Sequence, residues 1–298
     1  MLTTELPLKV FSRGKVRDTY VLDGDRLLMV ATDRISAYDH VLENGIPDKG
    51  KVLTQLSIWW FGQTHSFQEN HLVSGMVPDL PAELRERRDE LAGRFMIVTR
   101  AKRIDIECVV RGYLAGSAWA EYRESGTLAG EKLPEGLRES QRLPSPIFSP
   151  ATKEESGHDR NITFRQMKKL VGAQTAERLR ESSLALYTFA AEAAEKRGLI
   201  LADTKFEFGK LPDGRIILID ELLTPDSSRY WDARLYEVGI SPPSFDKQFV
   251  RDWLSRSGWD RNPPAPRLPE DIVEQTRQRY LTAYRYLTGR ELYERERV

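Results

Sequence analysis

The chain has 298 residues, which is enough to bury a large core in one or two domains. Its 45 lysines and arginines balance 45 aspartates and glutamates, so the net charge predicts neither nucleic-acid nor membrane binding. The single cysteine, Cys108, excludes an intrachain disulfide and a cysteine-based zinc site. No stretch has the apolar length of a membrane span or a secretion signal, and we expect a cytoplasmic protein without nucleic-acid or membrane partners.

Strands are predicted to dominate the first hundred residues. Apolar runs at 27–31 and 95–99 predict two strands, and residues 54–61 between them have apolar side chains at helical spacing. We expect a β-rich lobe over 1–104 and a second lobe over 105–298 that ends in a helical extension. Strands in two clusters, without regular strand–helix alternation, favour an α+β fold.

Two polar segments of the first lobe are candidates for ligand contact. Gly14, Lys15 and Arg17 lie in a glycine turn, where the backbone can approach a ligand and two cations can reach its phosphates. The spacing is not that of a Walker loop, and an ordinary surface hairpin is the alternative. Asp33 and Ser36 follow an apolar strand, a common position for ligand contacts, although a helix-capping turn also explains them.

Polar groups of the second lobe are candidates for binding anions. Arg111 ends an apolar strand, and Ser117 is placed to begin a helix, whose free amides attract an anion. With Arg229 from a later polar segment, this pattern predicts a clamp for phosphate or carboxylate, the alternative being a helix cap with unrelated salt bridges. Lys153 and Asp159 lie in a polar loop of the kind that closes over a substrate.

Helices are predicted on both sides of the later strands. Thr163 and Gln166 have the form of a capping box at a helix start. A longer helix is predicted over 175–196, with Leu179, Leu186, Phe189 and Ala193 on its inner side. Near the C-terminus, a helical stripe that includes Tyr280 predicts packing, and we assign no chemistry to it.

A predicted hairpin over 201–221 concentrates charge on one face. Side chains alternate along a strand, so Asp203, Lys205 and Glu207 share one face and the apolar residues between them face the core. A two-residue turn would place Glu207 opposite Asp220, where like charges repel. Opposed carboxylates beside a lysine predict a bound divalent cation, namely Mg²⁺ with phosphate.

Two alternatives to this hairpin reading stay open. A three-residue loop at 212–214 would pair residue 211 with residue 215 and bring Glu221 onto the acidic face instead. The charged face is also compatible with the solvated outer side of a two-sided sheet.

Together, a basic turn, a carboxylate pair and two arginines near anion-binding turns supply the parts of a site for phosphoryl transfer from a nucleotide. Five motifs, in chain order, resemble the phosphoribosylaminoimidazole-succinocarboxamide synthase (SAICAR synthetase) family. They are GKVRD at 14–18, ATDRISAYD at 31–39, ECVVRGYLAGS at 107–117, ADTKFEFG at 202–209 and IDELLTPDSSRYW at 219–231.

The resemblance implies a two-lobed, ATP-grasp-like α+β fold with ATP in the cleft between the lobes. It implies that L-aspartate is joined to carboxyaminoimidazole ribonucleotide (CAIR), giving SAICAR, ADP and phosphate by way of an acyl phosphate. The cofactors are then ATP and Mg²⁺, the partners are small molecules, and the chain is expected to be a monomer or a homodimer. A small-molecule kinase and a nucleotide-binding regulatory module are the alternative functions.

The resemblance also implies site residues. Four would bind ATP: Gly14, Lys15, Arg17 and Lys102. Seven would contact the other substrates: Asp33, Ser36, Arg111, Ser117, Lys153, Asp159 and Arg229. Glu207 and Asp220 would bind the metal, which favours the two-residue turn, Lys205 would neutralise phosphate charge, and Asp203 would orient that lysine or the nucleotide. The family often has lysine at the position of Arg17, which leaves that contact's geometry open.

Overall fold

The structure is a computed structural model that describes residues 1–153, 160–245 and 247–292. Its first hundred residues are rich in strands. Their elements are β1 (Val10–Arg13), β2 (Arg17–Val21), β3 (Arg26–Ala31), β4 (Ser36–Ala37), β5 (His40–Val41), α1 (Lys49–Thr64), β6 (Leu72–Ser74), two 3-10 turns (Val77–Asp79 and Ala82–Arg87), α2 (Arg88–Leu91) and β7 (Phe95–Thr99).

Most of these strands form one antiparallel five-stranded sheet in the order β1-β2-β3-β7-β6. The two apolar runs predicted as strands are neighbours in it, with Leu28 opposite Ile97. The predicted helix is confirmed as α1, which is longer than the periodic segment and buries Leu53, Leu56 and Trp60.

The remaining elements build a second sheet and its helices. They are β8 (Lys102–Arg103), β9 (Ile106–Tyr113), α3 (Ser117–Ser125), β10 (Thr127–Leu128), β11 (Glu131–Lys132), β12 (Arg142–Phe148), β13 (Ala151–Thr152), β14 (Arg160–Asn161), α4 (Phe164–Val171), α5 (Ala173–Glu195), β15 (Leu199–Lys210), β16 (Ile216–Ile219), β17 (Ser228–Asp232), a 3-10 turn (Ala233–Leu235), α6 (Gln248–Arg256) and α7 (Glu270–Thr288). The long strand β15 pairs with β8, β9, β16 and β17, all antiparallel.

The largest hydrophobic cluster crosses the predicted lobe boundary. It contains Leu56 of α1, Leu186 of α5, Phe206 of β15 and Tyr280 of α7. The strand β8 precedes the boundary at 104 and pairs with β15 of the second sheet. The division into lobes at this residue therefore stays a prediction.

Most local predictions for the helices are confirmed. Thr163 and Gln166 form the capping box of α4. Along α5, Leu179 and Leu186 are buried as expected, but Phe189 is 36% exposed because its ring lies at the edge of the inner face and contacts Phe67 at the surface. Among the described residues, no helix has the length and apolar character needed to cross a membrane.

Candidate active site

Two cavities of similar size meet at the β15–β16 hairpin. The apolar cavity, of about 840 Å³, has Leu27, Met29 and Val98 in its wall. The polar cavity, of about 810 Å³, is lined largely by charged and small side chains. Glu207 and Asp220 belong to the walls of both cavities, and we call these two residues the acidic pair.

The hairpin register differs from the favoured prediction. Leu211 donates its amide hydrogen to the carbonyl of Arg215 at 2.9 Å, so residues 212–214 form the three-residue loop. Glu207 consequently pairs with Ile219, and its predicted pairing with Asp220 is wrong. The turn contains one residue more than the tight turn requires, which shifts the register by one.

Asp220 nevertheless contributes to the same cavities as Glu207. The strand β16 ends at Ile219, and Asp220 has a left-handed backbone with φ of 68°, so side-chain alternation stops there. His71 donates from Nε2 to the Asp220 carbonyl at 3.1 Å, and Arg17 donates from Nη2 to Oδ2 at 2.6 Å. Burial lowers the pKa of His71 to about 4, so the ring is neutral at pH 7.

Each carboxylate near the acidic pair faces a cationic side chain. Lys153 contacts Glu207, and Lys205 donates to Glu107 at 3.0 Å. Burial and the neighbouring Asp220 raise the pKa of Glu207, whereas Arg17 and Lys153 lower that of Asp220 although burial opposes them. The surroundings of Glu207 therefore disfavour its charged form, and an additional cation beside it would favour that form.

The basic turn lies at the polar cavity, as its residues led us to expect. Gly14, Lys15 and Arg17 belong to the cavity wall together with Ser36. Arg34, from the polar segment that follows β3, fixes the turn by donating to the carbonyls of Gly14 at 2.9 Å and Lys15 at 3.1 Å. Lys102 lies elsewhere, in the wall of the apolar cavity.

The two candidate arginines converge on one carboxylate. Arg111 Nη1 lies 3.4 Å and Arg229 Nη1 lies 3.3 Å from Asp203 Oδ2. Arg111 also donates to the Ser117 hydroxyl at 3.0 Å, at the first residue of α3. Gly116 permits this arrangement, because a Cβ there would lie 2.8 Å from Arg229 Nη2. Asp203 thus orients the arginines, where the sequence analysis had it orient a lysine or the nucleotide.

One predicted substrate contact finds no support in its position. Asp33 is buried, and its oxygens bind the N-terminal ammonium at 2.6 Å, Arg94 at 3.1 Å and the Gly50 amide at 3.1 Å. It forms no part of either cavity wall. Its carboxylate fixes the N-terminus instead of facing a ligand. Asp159, the other substrate contact in question, lies outside the described residues.

A buried cluster beside the polar cavity was missed by the sequence analysis. Asp226 accepts from Lys49 at 2.8 Å and from the Tyr280 hydroxyl at 2.6 Å, and Lys247 lies 3.0 Å away. We call these four residues the Asp226 cluster. Although burial opposes it, the two lysines hold the pKa of Asp226 well below its usual range. The TPD sequence around Asp226 marks a turn, but its partners are too far away in the chain to be inferred.

An apolar cavity joined through two carboxylates to a cavity lined by charged side chains, with paired arginines beyond, is typical of an enzyme that acts on a nucleotide and an anionic substrate. The family sequence model described as SAICAR synthetase matches residues 10–266. The chain belongs to the SAICAR synthetase family, whose members are ATP-dependent ligases that form a carbon–nitrogen bond in purine biosynthesis.

Curated relatives and solved structures agree over nearly the whole chain. The phosphoribosylaminoimidazole-succinocarboxamide synthase of Thermodesulfovibrio yellowstonii is 52% identical over 95% of this chain and 96% of its own length. The SAICAR synthase from Saccharomyces cerevisiae, solved in complex with SAICAR, is 46% identical with a TM-score of 0.90, over 98% of this chain and 99% of that one. A SAICAR synthetase in complex with ADP is 25% identical with a TM-score of 0.70, over 95% and 99%.

Proposed function

We propose that ATP places its base in the apolar cavity and passes its phosphates across the acidic pair into the polar cavity. The observation that carries this proposal is that Glu207 and Asp220 line both cavities. Gly14 and Lys15 then lie beside the phosphates, and Lys102 lies beside the base. The relatives solved with ADP and with SAICAR support a site for nucleotide and ribonucleotide in this fold.

The acidic pair is the proposed site for Mg²⁺, and its donor chemistry fits that ion. Each of the two carboxylates already contacts a cationic side chain, Lys153 or Arg17, so the position accepts positive charge. Nearby, Glu221 Oε2 is buried without a hydrogen-bond partner among the described residues. The described part of the chain contains no cluster of three or more metal-binding side chains. Two carboxylates suit an ion that takes its other ligands from phosphate and water.

The proposed chemistry activates a carboxylate with ATP. A carboxylate oxygen of CAIR attacks the γ-phosphorus, the bond to ADP breaks, and an acyl phosphate forms. The amine of aspartate then attacks the acyl carbon, loses a proton and expels phosphate, which leaves an amide. Bound Mg²⁺ would neutralise phosphate charge, and Lys205 and Lys153 supply further positive charge at the same cavity.

The paired arginines are the proposed clamp for the phosphate of the ribonucleotide. Arg111 and Arg229 both lie within 3.4 Å of Asp203 Oδ2, so the two guanidinium groups are held side by side. Ser117 adds the start of α3, where backbone amides lack helical partners. Holding the ribonucleotide at this end aligns its carboxylate with the ATP phosphates.

The test is a turnover assay with ATP, Mg²⁺ and CAIR, with and without L-aspartate. A ligase sustains ADP release and forms SAICAR only when aspartate is present. A small-molecule kinase would instead accumulate a stable phosphorylated product without aspartate, and a regulatory module would release no ADP under either condition. Chelation of Mg²⁺ is expected to stop turnover, and Mg²⁺ added back is expected to restore it.

We further propose that the enzyme works in the cytoplasm. Its only cysteine, Cys108, is fully buried in the main core and forms no disulfide, so the fold does not depend on an oxidising compartment. Whether the chain is a monomer or a homodimer stays a prediction.

A further inference from the structure

Two cations of the C-terminal segment face the proposed reaction space. Lys247 immediately precedes α6 and Arg251 lies one turn later, so both side chains can reach the same side of the helix. Both line the polar cavity, and both also line a side cavity of about 130 Å³ that adjoins Asp203 and Arg229. They therefore stand between the acidic pair and the paired arginines.

The Asp226 cluster holds Lys247 in place, and its two lysines outnumber its one carboxylate. Asp226 carries one negative charge and binds two lysines, Lys49 and Lys247. Lys49 is 0% exposed and compensates Asp226 internally, while Lys247 retains 15% exposure at the cavity wall. One positive charge of the cluster therefore remains directed at the cavity.

Arg251 offers a second positive charge. Its guanidinium has no hydrogen bond or ion pair with any residue in the described ranges 1–153, 160–245 and 247–292. The other basic side chains at the polar cavity each contact a carboxylate; they are Lys15, Arg17, Lys153, Lys205 and Lys247. Arg251 is thus the cavity-lining cation best able to take an external anion.

The reaction requires a place for a substrate with two carboxylates. The amine of aspartate must come within about 3–3.5 Å of the acyl carbon, so its carboxylates must be bound inside the same cavity. The basic turn and the paired arginines are already assigned to the phosphates of the two nucleotides. Lys247 and Arg251 are two further cations at the right place, and arginine binds carboxylate in a bidentate manner.

We propose that Lys247 and Arg251 bind the two carboxylates of the aspartate substrate, with the Asp226 cluster positioning Lys247. This inference rests on the proposed function and names the residues that select the amino acid. A dicarboxylic amino acid places a negative charge against each cation, whereas a monocarboxylic one leaves a cation without an anion. The selection therefore follows from charge matching.

The test compares Arg251→Gln and Lys247→Gln with the unaltered enzyme in steady-state kinetics, measuring KM separately for aspartate, ATP and CAIR. Each variant is expected to raise KM for aspartate about 10- to 100-fold, the loss of one charge-assisted interaction, with little change for the other two substrates. Arg251→Lys is expected to recover part of the loss. Arg256→Gln is the matched control, because Arg256 lies exposed on the same helix and outside the cavities.

Inhibition by succinate gives a second measurement. Succinate carries both carboxylates without the amine, so it is expected to compete with aspartate in the unaltered enzyme and to compete much more weakly in Arg251→Gln. Because Arg251 has no partner to lose among the described residues, this variant is expected to fold even if Lys247→Gln does not.

Two outcomes would overturn the inference and leave the proposed function standing. One is an unchanged KM for aspartate in the folded Arg251→Gln variant. The other is a selective rise in KM for CAIR, which would assign the two cations to the ribonucleotide. Failure of the unaltered enzyme to use aspartate at all would instead overturn the proposed function.

Discussion

The acidic pair is half-buried and Asp226 is buried, and the pKa of a carboxylate shifts in opposite directions at the two places. At the acidic pair, burial and Asp220 raise the pKa of Glu207. At the Asp226 cluster, two lysines overcome burial and lower the pKa of Asp226. A further cation beside the acidic pair would favour the charged form of Glu207. At Asp226, two lysines face a single carboxylate, so the positive charges outnumber the negative one.

The largest expected effect is a loss of kcat when either carboxylate of the acidic pair is neutralised. Glu207→Gln or Asp220→Asn removes a charge that faces both cavities and is expected to lower kcat about 100-fold or more, because the stabilisation of phosphate charge is lost. Circular dichroism and thermal unfolding are expected to show an intact fold. Near-normal rates in both variants would remove the metal assignment.

Within the Asp226 cluster, loss of the central carboxylate is expected to lower the stability of the fold. Asp226→Asn leaves the buried Lys49 without a counter-charge and is expected to lower the free energy of unfolding by about 3–5 kcal/mol in urea titrations. Lys49→Met is the comparison, because Asp226 then keeps Lys247 and Tyr280, and a smaller loss is expected. Equal stability of Asp226→Asn and the unaltered protein at pH 7 would contradict this account.

The pH dependence of that loss has a defined sign. The pKa of Asp226 lies below its ordinary 3.8 in the folded protein, so its stabilisation is present above about pH 4 and is lost as the pH falls further. The difference between Asp226→Asn and the unaltered protein is therefore expected to narrow in acid.

The smallest effect concerns how Asp220 is held. His71→Phe keeps an aromatic ring beside Phe61 but removes the Nε2 donor to the Asp220 carbonyl. The loss of one neutral hydrogen bond is expected to raise the Mg²⁺ concentration for half-maximal turnover about threefold to tenfold. A titration of turnover with Mg²⁺ measures this, and an unchanged half-saturation would mean that the backbone of Asp220 needs no such support.

The sequence analysis selected Glu207 and Asp220 by assuming that they pair across the β15–β16 hairpin, and that pairing is wrong. Alternation along β15 correctly placed Glu207 on the charged face, but the three-residue loop shifted the partner strand by one. At Asp220 the backbone is left-handed and its carbonyl accepts from His71, 149 positions away. Neither feature leaves a periodic signal in the sequence.

The Asp226 cluster could not be predicted from local sequence patterns, because its members are far apart in the chain. Tyr280 was correctly predicted to lie on the buried stripe of α7, yet its hydroxyl contact with Asp226 was not. Lys49 and Asp226 are 177 positions apart, and only the tertiary fold brings them together. The ion pair of Asp33 with the Met1 ammonium, 32 positions away, is likewise invisible to local rules.

The wide sequence separation of the Asp226 partners also has a consequence for synthesis. Residues 49, 226, 247 and 280 meet at one carboxylate, so the contact is complete only after more than 230 residues that follow Lys49 have been translated. A nascent chain can form the first sheet early but cannot complete this junction until α7 emerges. Premature termination before α7 would accordingly yield a protein lacking the tyrosine that caps the junction.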